Sequence, residues 1–226
     1  AAVIGGGFIG IEMAENLYDL GFEVSIIELA DQVMAPLDYE MSQIVHRHIN
    51  SKGVKLHLKD GVKGFKYDNG VTTVKLNSGT EVDVDIVILA IGVRPNGDIA
   101  KKAGLKVNQK GGIVVDDYLK TSDENIYAVG DAIEVEDYIN NGKTMIPLAG
   151  PANKQGRIAA DNICGANIKY KGTQGTSVAK VFDITVSSTG SNEKTLKRLG
   201  KDYLVTYAHP KNHAGYYPGA CQLNMK

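Results

Sequence analysis

The chain contains no tryptophan, only two cysteines and only six prolines among its 226 residues. Two cysteines cannot build a disulfide framework, so the composition fits a protein of the reducing cytoplasm. No apolar run approaches the ~20 residues of a membrane-spanning helix. With 25 basic against 26 acidic residues, the chain also lacks the positive charge that a nucleic-acid partner requires. What remains is a globular composition, long enough for one large domain or two smaller ones.

Glycine, in contrast, is abundant, and the first glycines form a nucleotide-binding pattern. Gly5, Gly7 and Gly10 match the G-x-G-x-x-G fingerprint directly after the apolar residues Val3 and Ile4. In such a turn the first glycine permits a tight bend. The second lets the backbone approach a pyrophosphate at the start of a helix, and the third lets the helix pack closely on the strand. The pattern alone is a weak signal, so the residues that follow it decide its meaning.

A predicted helix and a predicted strand follow the glycines. The apolar side chains expected to line one face of the helix are Ile9, Met13, Leu17 and Leu20. The strand over residues 22–28 ends in Glu28, at about the 20-residue distance expected for the acid that binds an adenosine ribose. This carboxylate would repel a 2′-phosphate, and no Arg or Lys follows it through Gln32, so the pattern predicts NAD rather than NADP. The alternative interpretation is a glycine-rich turn that binds no ligand.

The rest of the first half predicts a parallel α/β fold with an insertion. Asp38 is expected to cap a second helix. The apolar stripe of this helix comprises Met41, Ile44, Val45 and Ile49. Residues 54–57 indicate the third parallel strand, and residues 85–91, which are mostly apolar, predict a central strand with both faces buried. An antiparallel meander is predicted between them by three short alternating strands, at residues 62–67, 71–76 and 81–84.

The five histidines are not spaced as a metal site. His46 and His48 are two apart on the predicted second helix, so their side chains diverge, and both are interpreted as surface or edge residues. His57 has no cysteine or acid at ligand spacing. A proline and a glycine argue against a helix that would align His209 and His213. The sequence therefore predicts no metal.

A second cofactor-like pattern lies further along the chain. Gly130 and Asp131 end a short predicted strand, at the position where ligands of parallel sheets bind. A carboxylate there suits a ligand rich in hydroxyl groups, but taken alone Asp131 is better explained as a cap of the following turn. A predicted helix then begins with Pro151 at its first position and continues to Gly165. Its amino terminus would stabilise an anion that develops on a cofactor.

Three ordered motifs together resemble the pyridine nucleotide-disulfide oxidoreductases with two nucleotide-binding domains. The motifs are GGGFIGIE at residues 5–12, AIGVRPN at residues 90–96 and NIYAVGDA at residues 125–132. Within this family the chain is most similar to the coenzyme A-disulfide and coenzyme A-persulfide reductases and the related NADH oxidases. The stretches that suggest this branch are residues 147–157, 180–183 and 213–220.

The resemblance implies roles for individual residues. Those that would hold NADH are Gly5, Gly7, Phe8, Ile9, Gly10 and Glu28, and those near the nicotinamide are Glu12 and Gly92. Phe8 stands where many relatives have a tyrosine over the flavin, which leaves an aromatic lid without the hydroxyl. The residues implied for FAD are Gly130 and Asp131 at the ribityl chain and the backbone groups of Leu148 and Ala149 at the flavin pyrimidine. Tyr216 or Tyr217 would reach coenzyme A in the partner subunit's site, although adjacent tyrosines also fit interface packing.

The resemblance also implies three segments. These are a Rossmann-like NAD-binding domain at residues 1–115, the returning part of a FAD-binding domain at residues 116–172, and the start of an α+β interface domain at residues 173–226. The chain begins directly in a predicted buried strand, and it has neither the first FAD fingerprint nor the redox-active cysteine of the family. Cys164 and Cys221 are not assigned as nucleophiles. The chain is therefore expected to be an inactive internal piece of a longer, homodimeric enzyme.

The function implied for the longer enzyme is the transfer of a hydride from NADH to FAD. The electrons would then pass to a disulfide, a persulfide or coenzyme A-disulfide. An NADH oxidase or peroxidase of the same family is the near alternative. A non-enzymatic NAD-binding sensor module is the alternative from another class, and the Gly130-Asp131 pattern and the helix at Pro151 argue against it.

Overall fold

The structure is a computed structural model that describes all residues from 1 to 226. The chain forms two compact units. The first comprises residues 1–92, 179–186 and 191–226, and the second comprises residues 93–178 and 187–190. The segment boundaries expected near residues 115 and 172 stay predictions.

Strands and helices alternate through the first 92 residues. In chain order they are β1 (Ala2–Ile4), α1 (Phe8–Asp19), β2 (Ser25–Glu28), α2 (Tyr39–Ser51), β3 (Lys55–Leu58), β4 (Val62–Asp68), β5 (Val71–Leu76), β6 (Glu81–Val84) and β7 (Val87–Leu89). The later elements are α3 (Asp98–Lys102), β8 (Ile113–Val114), a 3-10 helix (Gly130–Ala132), β9 (Ile133–Asp137), β10 (Gly142–Thr144), α4 (Ala149–Ile163), β11 (Ser177–Val181), β12 (Ile184–Ser188) and α5 (Glu193–Arg198). None of the helices is both long enough and apolar enough to cross a bilayer.

The core of the first unit is a four-stranded parallel sheet. Its strands follow the order β3-β2-β1-β7, and Val3 in β1 pairs with Ile26 in β2 and with Ile88 in β7. Strands β4, β5 and β6 follow β3 and precede β7 along the chain, and they form a separate antiparallel meander. The predicted α/β fold, a parallel sheet with an antiparallel meander, is therefore confirmed.

The prediction of a central strand over residues 85–91 is wrong. The strand is limited to β7 and lies at the edge of the sheet. Leu89 is 61% exposed and Ile91 is 75% exposed. An apolar run indicates side chains that tend to leave water, but it does not determine the position of a strand within its sheet.

Helix α1 spans the predicted region but packs on the sheet through a different face. Ile9 and Leu20 are 51% and 75% exposed, whereas Ile11, Ala14 and Leu17 are buried. The buried face includes the small residues at the start and middle of the helix, which let it lie close to the glycine turn. A search for large apolar side chains at helical spacing missed this face because small residues carry part of it.

The tip of the β11–β12 hairpin, residues 179–186, completes the core of the first unit. Val181 and Phe182 are buried in the same apolar cluster as Val3 and Ile26. The ring of Phe182 packs edge-to-face on that of Tyr18, with the ring centroids 5.4 Å apart. Residues that are distant in the sequence therefore share one core.

Polar contacts hold the same hairpin tip against α1 and α2. The buried carboxylate of Glu15 accepts the N–H of Phe182 at 2.8 Å and pairs with Lys180. The N–H of Asp183 donates to Nε2 of His48 at 3.2 Å. His48, interpreted from the sequence as a surface or edge residue, is half-buried and serves here as an acceptor.

The second unit contains a three-stranded sheet in the order β10-β9-β8. Ile158 and Ala159 of α4 share an apolar cluster with Ile133 of β9. Helix α4 begins at Ala149, whereas the sequence placed Pro151 at the first helical position. Proline is tolerated throughout a first turn because the N–H groups there have no partner within the helix.

Candidate functional site

The glycine turn between β1 and α1 is too tightly packed for side chains at two positions. A Cβ atom on Gly5 would lie 2.3 Å from the carbonyl oxygen of Ala90, and one on Gly10 would lie 1.9 Å from the carbonyl oxygen of Gly5. Gly5 also has a φ of 108°, in the region that favours glycine. The fold itself therefore requires glycine at both positions.

Gly7 differs from the other two glycines of the pattern. It precedes α1 with a φ of −74°, which any residue adopts, and no atom lies within 4 Å of the place that a Cβ would take. The fold therefore does not require glycine here. The lack of a side chain keeps open the space in front of the helix, as a ligand that approaches the backbone needs.

The amino terminus of α1 presents hydrogen-bond donors to this space. The N–H groups of Phe8, Ile9 and Gly10 have no acceptor, and the first turn contains no acidic residue. This end of the helix is therefore suited to an anion such as a pyrophosphate. Ile9 is exposed, whereas Phe8 is half-buried against the core of the first unit, so a lid role would require Phe8 to leave that contact.

Glu28 ends β2, and its carboxylate is already hydrogen-bonded. Oε2 accepts the N–H of Gly6 at 2.6 Å, and Oε1 accepts the N–H of Ala30 at 2.8 Å. Each carboxylate oxygen has a further acceptor position, so two ribose hydroxyls can still bind. The contact with Gly6 ties the acid to the glycine turn, a link that spacing along the sequence does not reveal.

The folded chain brings a cation toward the loop that follows Glu28. Nζ of Lys194 lies 3.2 Å from Oε1 of Gln32 and 2.7 Å from the carbonyl oxygen of Ala35. The search along the sequence, which ended at Gln32, missed this lysine because it is distant in the chain. Because protein oxygens already bind its ammonium group, Lys194 is not counted as a partner for a 2′-phosphate. The preference for NAD over NADP stays a prediction.

Both residues expected near the nicotinamide are exposed. The carboxylate of Glu12 forms no hydrogen bond or ion pair. Gly92 has a φ of 111°, and Ala90, two residues before it, lies against Gly5. The chain therefore leaves the sheet beside the glycine turn, and Gly92 follows at that exit.

The second predicted site lies in the other unit, where the 3-10 helix precedes β9. Gly130 has a φ of 81°, and its N–H donates to Oε1 of Gln155 at 2.7 Å. Gln155 lies in α4 and is only 2% exposed. A buried glutamine gave no signal in the sequence, yet it fixes Gly130, and with it Asp131, beside the first turns of α4.

Asp131 is exposed, and its carboxylate accepts no hydrogen bond and forms no ion pair. It therefore does not cap the turn, and both of its oxygens are free for ligand hydroxyls. Leu148 precedes α4 as its N-cap, and the N–H groups of Ala149 and Gly150 have no acceptor. The first turn of α4 carries no acidic residue, so this helix start also favours an anionic ligand group.

The two cysteines and the tyrosine pair are exposed. Cys164 follows the carboxyl end of α4, the opposite of the helix start that activates a thiolate. The thiol of Cys221 contacts the carbonyl oxygen of Gly219 at 3.3 Å. Tyr216 and Tyr217 are 83% and 59% exposed, with their rings 4.8 Å apart. The pair therefore offers accessible aromatic surface.

Three carboxylates with the spacing of a metal site converge where α2 and α5 begin. Asp38, Glu40 and Glu193 place one oxygen each within 4.8 Å of one another. The ammonium of Lys226 lies among them, 2.9 Å from Asp38 and 2.6 Å from Glu193, and also pairs with Glu40. Its hydrogen bond lowers the pKa of Glu40 to about 2. The lysine thus supplies the positive charge that a metal ion would supply.

Most of the chain matches one known protein family. The family model described as pyridine nucleotide-disulphide oxidoreductase matches residues 1–156. An NADH oxidase of Methanocaldococcus jannaschii is 38% identical over all of this chain and 50% of its own length. The chain spans about half the length of the curated relatives that it matches.

Two solved structures are similar over nearly the whole chain. The crystal structure of reduced CoADR-RHD from Bacillus anthracis is 53% identical, with a TM-score of 0.93 over 98% of this chain and 40% of that chain. The NAD-dependent persulfide reductase from A. fulgidus is 40% identical, with a TM-score of 0.95 over 99% of this chain and 41% of that chain.

Proposed function

Because the chain belongs to the pyridine nucleotide-disulphide oxidoreductase family, we propose that it forms the NADH-binding part and a share of the FAD-binding part of a flavoprotein reductase. Residues 1–115 form the NAD domain, residues 116–172 the returning part of the FAD domain, and residues 173–226 the start of a dimer-forming interface domain. The redox-active cysteine belongs to another part of the longer protein, since Cys164 and Cys221 lack an activating environment.

The contrast among the three fingerprint glycines carries this proposal. Gly5 and Gly10 are required by contacts within the protein, whereas a side chain on Gly7 would meet no protein atom. A turn with a purely structural purpose needs glycine only at positions 5 and 10, and not at Gly7. Gly7 lies at the helix start whose free N–H groups favour a pyrophosphate, and Glu28 ends the adjacent strand of the sheet.

The first unit binds and orients NADH. The first-turn N–H groups of α1 donate to the pyrophosphate oxygens. Glu28 accepts hydrogen bonds from the adenosine ribose, while the N–H groups of Gly6 and Ala30 hold its carboxylate in one orientation. Glu12 and Gly92 flank the nicotinamide at the exit from the sheet.

The second unit contributes to the FAD site. The free carboxylate of Asp131 accepts hydroxyl groups of the ribityl chain, and Gly130 lets the backbone turn there. The N–H groups at the start of α4, after Leu148, favour negative charge on the flavin pyrimidine. The bound cofactors supply the hydride chemistry, and the chain supplies binding, orientation and electrostatics.

The electron acceptor that we favour is a sulfur compound: a disulfide, a persulfide or coenzyme A-disulfide. The persulfide reductase from A. fulgidus supports this choice by its identity over nearly the whole chain. The accessible pair Tyr216 and Tyr217 would contact coenzyme A in the partner subunit's site. Oxygen is the alternative acceptor, and the relative from M. jannaschii, an NADH oxidase, supports it.

Cofactor titration tests the proposal. We expect calorimetry on this chain to show NADH binding at least about tenfold more tightly than NADPH, because one unfavourable contact with a 2′-phosphate costs about 1.4 kcal/mol or more. FAD should bind weakly to this chain, since the chain supplies only a share of the flavin site. The absence of NADH binding, or copurified FAD at full occupancy, would overturn the assignment.

Experiments on the longer protein distinguish an enzyme from a sensor module. They also distinguish a sulfur compound from oxygen as the electron acceptor. A yellow protein whose flavin is reduced by NADH supports an enzyme, and a colourless protein that binds NADH supports a sensor module. NADH consumption with coenzyme A-disulfide or a persulfide under argon, compared with consumption in air, identifies the acceptor. Turnover in air alone would favour the oxidase.

A further inference from the structure

The loop between β2 and α2, residues 29–38, packs directly on the glycine turn. The N–H of Met34 donates to the carbonyl oxygen of Gly6 at 2.8 Å. A Cβ atom on Gly6 would lie 2.7 Å from Cγ1 of Val33, and both Val33 and Met34 are buried. Gly6 also donates its N–H to Glu28. The loop, the glycine turn and the ribose-binding acid therefore form one connected network through Gly6.

The same loop also accepts hydrogen bonds from residues 192–194, more than 150 positions later in the chain. The side-chain N–H of Asn192 donates to the carbonyl oxygen of Pro36 at 3.0 Å. Nζ of Lys194 donates to the carbonyl oxygen of Ala35 at 2.7 Å and to Oε1 of Gln32 at 3.2 Å. Three oxygens of the loop are thus bound by two side chains from one short segment.

Gln32 transmits this contact into the loop. It is only 5% exposed, and its side-chain N–H donates to the carbonyl oxygen of Leu37 at 3.0 Å. The backbone N–H of Glu193 also donates to the carboxylate of Asp38, at 3.0 Å to one oxygen. The segment therefore binds the loop from Gln32 to its junction with α2.

We propose that Asn192 and Lys194 are positioning residues for the NAD site. They act through the loop, since the loop contacts Gly6 and Gly6 contacts Glu28. The inference rests on the proposed NADH binding, because it assigns Glu28 to the adenosine ribose. Its consequence is that dinucleotide affinity depends on side chains that bind the loop and contact neither Glu28 nor the glycine turn.

The test is calorimetric titration of the intact protein with NAD⁺, which binds without reducing a flavin. Lys194→Met keeps the aliphatic stem but removes the ammonium, and Asn192→Asp removes the donor to Pro36 while keeping the acceptor that caps α5. Lys197→Met is the matched control, since its ammonium lies 3.8 Å from Glu193 on the same helix and does not contact the loop. The titrations are run at a salt concentration of about 0.5 M, which screens exposed charges more than roughly 5 Å apart. Removing an exposed charge then has little long-range effect on the binding of NAD⁺.

We expect Lys194→Met to raise the Kd for NAD⁺ by about three- to tenfold, less than the loss of a direct hydrogen bond to a charged group would cause, because the lysine acts through the loop. Asn192→Asp should act in the same direction, and Lys197→Met should leave the Kd unchanged. In a Glu28→Gln background the effect of Lys194→Met should shrink, because the route through Glu28 is already weakened. A change in thermal stability alone would not produce this non-additivity.

The outcomes separate the two proposals. If the unaltered protein does not bind NAD⁺, the proposed function fails and the inference fails with it. If it binds NAD⁺ and Lys194→Met and Lys197→Met behave alike, the positioning role is overturned while the proposed function stands. Fully additive effects of Lys194→Met and Glu28→Gln would also overturn it, because they would place the lysine outside the network of Glu28.

Discussion

The two regions predicted to bind cofactors have similar parts but differ in how the parts are held. Each region has a glycine of left-handed φ, a helix start whose N–H groups lack acceptors, and one carboxylate. Glu28 accepts two backbone N–H groups, whereas Asp131 accepts none. The acid of the first region is therefore preorganised, and Asp131 loses its side-chain freedom only when a ligand binds.

This difference follows from where the supporting groups lie in the sequence. Gly6 and Ala30, which hold Glu28, lie within 22 residues of it, so one strand-helix-strand unit supplies both donors. The turn at Gly130 has a single side-chain support, from Gln155. The comparison teaches that a short stretch of sequence can supply all the groups that hold one binding carboxylate. It also fits the proposal that the second region is only a share of a site.

The largest expected effect comes from adding a methyl group at Gly10. Gly10→Ala places Cβ 1.9 Å from the carbonyl oxygen of Gly5, so α1 must shift, and we expect a loss of about 3 kcal/mol or more of unfolding free energy. Gly7→Ala is the matched control, because it meets no protein atom and should cost less than about 1 kcal/mol. Urea denaturation measures both.

The same pair of variants tests the site as well as the fold. Gly7→Ala should weaken NADH binding in a protein that remains folded, because the methyl group enters the space kept for the ligand. A Gly7→Ala protein with unchanged NADH affinity would show that this space does not receive the pyrophosphate.

The next effect concerns the free carboxylate of the second region. Asp131→Ala should weaken FAD binding to the longer protein by about one to two orders of magnitude, since a hydrogen bond to a charged group is worth roughly 1.5–3 kcal/mol. Unfolding free energy without FAD should stay constant, because Asp131 has no partner in the protein. NADH affinity should also be unaffected. Fluorescence titration with FAD measures the effect, and retention of FAD at the original affinity would remove Asp131 from the site.

Glu28→Gln addresses the held carboxylate of the first region. The amide keeps one acceptor oxygen and removes the charge that opposes a 2′-phosphate, so the preference for NADH over NADPH should fall by about tenfold. Parallel titrations with the two cofactors measure the ratio. An unchanged ratio would place the source of selectivity elsewhere in the loop.

A smaller effect is expected from pH, through His46. The sequence interpretation of His46 as a surface or edge residue is wrong, since it is 6% exposed and its Nε2 accepts the N–H of Val33 at 3.1 Å. Burial lowers the pKa of His46, although the nearby Asp31 opposes this effect. The unfolded chain therefore binds the proton more readily.

The sign of the pH dependence follows from that difference. The contribution of His46 to folding stability is fully present above about pH 6.5, the unfolded pKa, and is lost as the pH falls toward and through the lower folded pKa. Urea denaturation at pH 7.5 and at pH 5 should show this loss. His46→Gln, which does not titrate, should flatten the pH dependence, and an equal slope in both proteins would exclude His46 as its source.

The smallest effect is expected from the cysteines. The double variant Cys164→Ser, Cys221→Ser should keep both cofactor affinities and, in the longer protein, the proposed turnover of a sulfur substrate. Both thiols are exposed and neither lies at a helix start. Loss of turnover with intact flavin reduction would assign one of them to the electron pathway.

Local patterns predicted much of the fold. Alternation of apolar residues, together with turn glycines, predicted the parallel sheet and the meander, because these signals arise from neighbouring residues. The sequence also predicted that Gly5, Gly10 and Glu28 belong to one strand-helix-strand unit, and in the structure that unit consists of β1, α1 and β2.

Contacts between distant residues were not predictable in the same way. Gln155 and His46 are polar residues that the fold buries by giving each a backbone N–H to accept. Lys194 binds Ala35 in a loop that lies 159 positions earlier in the chain. No spacing rule covers such separations, because the partners are neighbours only after the chain has folded.

The late hairpin tip has a consequence for how the protein is made. Val181 and Phe182 fill the core formed by the first 92 residues, but they leave the ribosome roughly ninety residues later. At about 5–20 residues per second, this interval lasts on the order of five to twenty seconds. During that time the apolar side chains of α1 and α2 that Val181 and Phe182 later cover are exposed to water. We therefore expect chaperone binding at this stage of synthesis, and a chain that ends at residue 115 should retain the chaperone.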